Sequence, residues 1–259
     1  MDTLVWILGF TALGGLVSAL LAGTLLGLPQ GRLDRLMPHL VSLATGALLA
    51  TALLALIPHA MAGAGPFRMH QVGIALLAGI ALFFVLEKFL LWRHCHTEAV
   101  ESAHAHAGHR HDASGWLVTV GDGLHNLLDG VLIAAAFLTD IHLGIVTTLA
   151  IMAHEIPQEI GNVVVMLNAG FSRRRALAVN LLSSLTAVLG GLIGWFALRE
   201  AMALLPYALA VAAASLLYVA VADLIPGLHK RTDLRASLAQ VMWIGVGVGV
   251  IAFAESQIH

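Results

Sequence analysis

Apolar residues run along this chain in long blocks. They follow neither the alternation of a half-buried strand nor the one-faced pattern of a soluble helix. A helix needs about 20 apolar residues to cross a bilayer. Eight blocks reach that length, at about 4–27, 39–62, 70–92, 116–138, 143–168, 174–198, 204–226 and 237–257, with Gly, Pro or charge between them. The pattern predicts an all-α polytopic membrane protein: one transmembrane domain over 1–259 with eight spanning helices. The first block, from Leu4 to Leu28, is longer than a signal-peptide core and lacks a basic leader, so it reads as a retained spanning helix. Glycines within the blocks, as in "GVGVGV" at 245–250, allow close approach of membrane helices.

Polar positions break the apolar blocks densely in two places, "GDGLHNLLDG" at 121–130 and "AHEIPQEIGN" at 153–162. At about 100° per residue, Asp122, His125, Asn126 and Asp129 fall within an arc of about 100° on the fourth helix. His154, Glu155, Gln158, Glu159 and Asn162 fall within about 140° on the fifth. Each helix therefore carries one polar stripe on an otherwise apolar surface, and the stripes must face each other or a wet cavity. The connection around Asp140 is short, which predicts antiparallel neighbours with both stripes near mid-membrane.

Composition strengthens the membrane assignment. The chain is 59% hydrophobic and 11% charged, with a mean hydropathy of +0.90; a soluble domain carries roughly 25% charged residues. The net charge of -2 gives no argument for nucleic acid, and the single cysteine, Cys95, excludes an intramolecular disulfide and Cys-rich zinc fingers. Charge also predicts orientation. Arg32, Arg35, Lys88, Arg93, Arg110, Arg173, Arg174, Arg175, Lys230, Arg231 and Arg235 follow helices one, three, five and seven, leaving only Arg68 and Arg199 on the other side. Basic loops face the cytoplasm, so both termini are expected outside.

Histidine is the outlier, with 14 residues. His nitrogen and carboxylate oxygen are ordinary zinc ligands. His125 and Asp129, at i and i+4, can chelate one ion from one helix face, and Glu155 and Glu159 repeat the spacing on the next helix. Such a set at one depth suits a borderline divalent cation better than sodium or an organic anion. Pro157 interrupts the fifth helix inside its motif and frees a backbone carbonyl. Against this stands the plainer possibility that any single His or Asn here is an interhelical hydrogen-bonding residue, strongest for Asn126 and Asn162; Asp122, near the cytoplasmic end, could simply be solvated.

On these motifs the chain resembles the ZIP (Zrt/Irt-like) family of metal transporters. "HNLLDG" resembles its helix-four signature, and "HEIPQEIGN" its helix-five signature in the LIV-1-like branch. The resemblance implies a ZIP-like bundle, movement of metal toward the cytoplasm and a binuclear centre between helices four and five. By position, His125, Asp129, His154 and Gln158 would serve one site, and Asn126, Glu155 and a shared Asp129 the other; Glu159 matches a position linked to the pathway. Two departures bear on affinity and on the number of ions held: Gln158 stands where many members carry His or Glu, and Asn162 where the LIV-1 motif usually has Asp.

Outlying candidates carry two readings each. His59, in "LIPHA", could receive metal at the outer entrance or be an interfacial residue; Asp223, near the inner end of helix seven, could help metal leave or pair with a basic neighbour. Glu87 and Lys88 are expected only to mark the interface. The loop "HCHTEAVESAHAHAGHRHD", 94–112, is expected to be disordered and cytoplasmic, its His94, His96, His104, His106, His109 and His111 forming a flexible chelating tract or an inert linker. Zn2+ is the expected transported substrate, with Fe2+, Mn2+ and Cd2+ as alternatives and no organic cofactor. The expected partners are these ions, the lipid bilayer and a second copy of the chain, in a bacterial inner (plasma) membrane. Two rivals remain: a proton-coupled carrier of another solute, and an intramembrane metalloprotease, for which "HEIPQE" lacks the second His of H-E-x-x-H. No G-x-x-x-x-G-K-[ST] loop suggests ATP drive.

Overall fold

A computed structural model describes residues 3–101 and 110–257. Apart from short links the described residues are helical, without strands, and the helices join end to end into eight segments. These are α1 (Thr3–Leu25), α2 (Gln30–Ala64), α3 (Met69–Glu101), α4 (Arg110–Thr139), α5 (Ile141–Asn168), α6 (Arg173–Arg199), α7 (Met202–Leu228) and α8 (Leu234–Ser256). Six stretches are long and apolar enough to cross a membrane: α1, α2, Pro66–Lys88 ending in α3, α6, α7 and α8.

α1 shows why such sequences fold in lipid. Its buried positions are Ile7, Thr11, Gly14, Gly15, Ser18, Ala19 and Ala22, all small but for Ile7, whereas Val5, Leu13, Leu16 and Leu20 are exposed. Lipid is as apolar as leucine, so large side chains gain nothing by turning inward, and small residues let backbones meet. The same device fixes two helix pairs. A Cβ on Gly130 of α4 would collide with the Ala187 carbonyl of α6, and one on Gly190 of α6 with the Leu127 carbonyl of α4. Gly46 of α2 and Gly247 of α8 make the matching crossing against Ile244 and Leu43. In contact terms α1, α4, α5 and α6 form one group and α2, α3, α7 and α8 another, joined mainly where α2 meets α5 and α4 meets α7.

Three segments depart from uniform α-helix. α2 contains a π-turn at Thr51–Leu56 and α7 one at Val219–Leu224. Each is followed by Ile-Pro (Ile57–Pro58 and Ile225–Pro226), and a proline that cannot donate its N–H shifts the ladder before it. α6 breaks at Leu185 into Arg173–Ser184 and Thr186–Arg199. There Ser183 and Ser184 donate back to the Asn180 carbonyl at 2.8 and 2.9 Å, and Thr186 to that of Ser183 at 2.6 Å. Hydroxyls competing in this way loosen a helical ladder.

Two ends lie beyond the hydropathy blocks. α2 starts at Gln30, just after Pro29, and α3 runs on to Glu101. Within the expected loop, residues 94–101 and 110–112 are therefore helical and not irregular. Hydropathy marks only the apolar part of a helix, and Thr97–Glu101 contains good helix formers. His104, His106 and His109, and the side chains of His94, His96 and His111, lie outside the described residues, as does the question of their chelation.

Candidate metal centre

Asp140 is the single non-helical residue between α4 and α5, and its carboxylate caps α5, accepting from the N–H of His142 at 2.8 Å and of Leu143 at 3.2 Å. His125 lies 15 residues before it (140 − 125) and His154 lies 14 after it (154 − 140). At about 1.5 Å per residue, antiparallel neighbours bring both to one depth, about 21–22 Å from the turn. α5 touches α1, α2, α4, α6 and α8, and of its polar stripe His154, Glu155 and Glu159 are buried while Gln158 and Asn162 are half-buried.

At that depth four side chains converge. The Nε2 atoms of His125 and His154 are 3.2 Å apart. His125 Nε2 lies 3.7 Å from Asp129 Oδ2 and 3.5 Å from Glu155 Oε1; His154 Nε2 lies 3.7 and 3.4 Å from the same two oxygens. One donor atom from each of the four fits within 4.8 Å of all the others. A tetrahedron with bonds of about 2.0–2.1 Å has edges of about 3.3–3.4 Å, and these separations bracket that value. Asp129, His154 and Glu155 are buried, while the His125 side chain keeps 23% of its surface exposed. Asp129 Oδ2 and both oxygens of Glu155 accept no hydrogen bond, and among the described residues no Lys or Arg pairs with them. A buried carboxylate in that condition is unfavourable by several kcal/mol unless a cation meets it. The group can therefore bind a cation, His and carboxylate together favouring a transition metal.

The remaining candidates divide. Asn126 is buried but its amide donates to the Asp122 carbonyl of its own helix at 3.1 Å. Asp122, also buried, is not solvated: its carboxylate accepts from Asn162 at 2.6 Å, from Ser183 and, at 3.4 Å, from Gln158. Gln158 thus meets Asp122, while the resemblance groups it with His125, Asp129 and His154. Glu159, fully buried, accepts from Asn180 and Ser184 of α6. His59 sits away from the cluster, its Nδ1 2.9 Å from the Ala55 carbonyl and 3.8 Å from Glu255 at the end of α8. Asp223 falls in the α7 π-turn, and among the described residues it forms no salt bridge. Glu87 does more than mark an interface, since it accepts from Tyr218 and so ties α3 to α7.

Sequence reasoning did not give Asn180, Ser183 and Ser184 their role as donors to the two flanking carboxylates, nor Glu255 any role. The three polar residues at 180, 183 and 184 are visible in the sequence on one face of helix six, but their partners are not. Glu255 had only the signal of an ionisable residue near the end of an apolar helix.

Apolar helices wrapped around a buried His–carboxylate cluster define an integral membrane protein with an internal cation site. A sequence model described as "ZIP Zinc transporter" matches residues 92–255, and the chain belongs to the ZIP family. It is similar to Zinc transporter ZIP4 of Mus musculus, 31% identical over 261 residues covering 77% of this chain and 39% of that protein. Zinc transporter ZIP10 of Danio rerio is 37% identical over 143 residues, 52% of this chain and 17% of its own length. Zinc transporter ZIP13 of Pongo abelii is 30% identical over 233 residues, 82% of this chain and 65% of its own. The chain thus spans well under half of the ZIP4 and ZIP10 proteins that it matches.

Proposed function

We propose that the chain moves a divalent transition-metal ion, zinc first, into the cytoplasm through the cluster of His125, Asp129, His154 and Glu155. The observation that carries this is the convergence of four donor atoms at 3.2–3.7 Å, with carboxylate oxygens left unpartnered, inside a bundle of apolar helices. Similarity to zinc transporters supports zinc as substrate; one geometry serves Fe2+, Mn2+ and Cd2+ as well. His59 and Glu255 on one side, and Asp122, Glu159, Asn162 and Asp223 on the other, are assigned to the approach and the exit. Asn126 and Gln158 are assigned as auxiliary donors. An ion shared among ligands of comparable strength can be stripped of water and still released, so alternating access needs no covalent chemistry.

The topology proposed is eight spans with both termini outside, supported by the division of basic residues between loops. The membrane proposed is a bacterial inner (plasma) membrane, and the same division supports a cytoplasmic side for the His-rich loop 94–112, as a tethered chelator. The open face of α8, where Gly245 and Gly249 meet nothing within 4 Å, supports a homodimer.

Uptake by the purified chain in proteoliposomes, across a panel of divalent ions, tests the function. Zn2+ uptake is expected. A monodisperse, reconstituted chain that moves no divalent ion would overturn it. Cys95 tests the topology: labelling by a membrane-impermeant thiol reagent in intact cells would place the loop on the wrong side.

A further inference from the structure

Pro38 sits inside α2 and has no N–H to give, so the carbonyl four residues earlier, that of Asp34, loses its helical partner. Arg231, in the connection between α7 and α8, replaces that partner: its Nη2 donates to the Asp34 carbonyl at 3.2 Å. Gln240 of α8 donates to the carbonyl of Leu228, the last residue of α7, at 3.0 Å. These two bonds hold α2, α7 and α8 around a cavity of about 190 Å3. Met37, Pro38 and Val41 give it an apolar wall, and Arg231 and Gln240 are its polar members.

Capping Asp34 engages one of the five N–H groups of the Arg231 guanidinium. Among the described residues the one arginine in a salt bridge is Arg199, with Glu200, so no carboxylate balances Arg231. The surrounding charge is one-sided. Arg32, Arg35, Lys230 and Arg235 lie nearby in sequence on the same two connections, against Asp34 and Asp233. Asp233 is already occupied in capping α8, accepting from the N–H of Ala236 at 2.9 Å. Gln240 lies six residues into α8 (240 − 234), about 9 Å from its start, the depth at which headgroups meet acyl chains. The matching ligand is therefore anionic at one end and apolar at the other. We infer that the cavity between α2, α7 and α8 binds the headgroup of an anionic phospholipid, its phosphodiester held by Arg231. A planar guanidinium suits two phosphate oxygens at once. Pockets that enclose a whole small ligand measure about 300–1,000 Å3; this smaller one takes the headgroup and glycerol and leaves the chains in the bilayer. A choline headgroup would bring a second cation into a basic surround and is disfavoured. The lipid ties together three helices that do not carry the metal cluster, so this site stands or falls apart from the transport reading.

A lipid competition tests it. The full chain in detergent is equilibrated with equal amounts of phosphatidylglycerol and phosphatidylcholine and repurified, and the lipid retained per chain is counted by mass. The wild type is expected to prefer phosphatidylglycerol by about fivefold, the weight of one arginine against an anionic surface. Arg231→Gln keeps an N–H for the Asp34 carbonyl but loses the charge, and should bring the ratio close to one. Arg174→Gln removes an exposed charge at the start of α6, outside the cavity lining, and should keep the preference. Val41→Phe fills the cavity from α2 with every charge in place; it should lower the ratio as Arg231→Gln does, and it carries the test if that variant fails to fold. Equal retention of the two lipids by the wild type overturns the inference. So does a preference that survives Arg231→Gln or Val41→Phe, or one that Arg174→Gln abolishes equally. Displacement of phosphatidylglycerol by inorganic phosphate at constant ionic strength would make this a site for the free anion and overturns the lipid as its occupant.

Discussion

Two kinds of buried carboxylate lie side by side in the middle of this bundle. Asp122 and Glu159 are surrounded by amide and hydroxyl donors from α5 and α6. Asp129 and Glu155 face two imidazoles and leave Asp129 Oδ2 and both Glu155 oxygens without a donor. All four are nearly inaccessible, so burial does not distinguish them; hydrogen-bond satisfaction does. A satisfied carboxylate holds helices together. An unsatisfied one strains the apoprotein and is relieved only by something positive. The difference separates carboxylates already held by protein donors from carboxylates left for a cation, within about two turns of helix.

The largest expected effect is on transport at the unsatisfied pair. His125→Ala or Asp129→Ala removes one of four donors and should cut uptake at least tenfold while the chain stays monodisperse. The losses should not add: once the site is broken, a second removal has little left to take, so His125→Ala/His154→Ala should resemble either single variant. Near-normal uptake in both single variants would dissolve the comparison.

The satisfied pair should show the opposite signature. Ser184→Ala or Asn180→Ala leaves Glu159 short of a donor in the core, at a cost of about 1–3 kcal/mol. For a chain of this size that lowers the melting temperature by about 2–4 °C per kcal/mol. The half-saturation concentration for zinc should stay where it was. Asp129→Ala should do the reverse, leaving the metal-free melting temperature unchanged or raised, because an uncompensated buried charge has gone. Thermal unfolding in detergent alongside uptake reads both. A melting temperature that falls equally for Asp129→Ala and Ser184→Ala would show that all these carboxylates are structural.

How much of this the sequence carried follows from the same physics. The α4 and α5 stripes stood out because ionisable residues in apolar helices are rare and expensive, and their common depth followed from the short link at Asp140. The cluster of four was legible residue by residue. The partners of the α6 set were not, because Ser and Asn are ordinary in apolar helices; what aims Ser183 and Ser184 at α4 and α5 is the break at Leu185, where hydroxyls bond back along the helix. The resemblance groups Gln158 with His125, Asp129 and His154; its bond to Asp122 was not legible, since a helical wheel shows which face a side chain occupies but not which partner across the gap it meets. The π-turns in α2 and α7 depend on how the ladder adjusts ahead of Pro58 and Pro226, and the sequence shows only the prolines.

The smallest expected effect tests the boundary between the two kinds of carboxylate. Gln158 is one turn beyond His154 on α5, yet its amide donates across to Asp122 at 3.4 Å, the longest of that carboxylate's three bonds. The weak bond leaves little to lose on substitution. Gln158→His replaces a neutral amide with an imidazole, a far better donor for zinc, between the cluster and Asp122. Passing ions should then be held more tightly. The half-saturation concentration for uptake should fall, by less than tenfold, because Asn162 still occupies Asp122. The maximal rate should stay level or drop, because a tighter hold slows release. Measuring both quantities across a zinc titration separates this from a stability effect, which would lower the rate alone. An unaltered half-saturation concentration would mean that position 158 belongs wholly to the satisfied network, with no part in holding the ion.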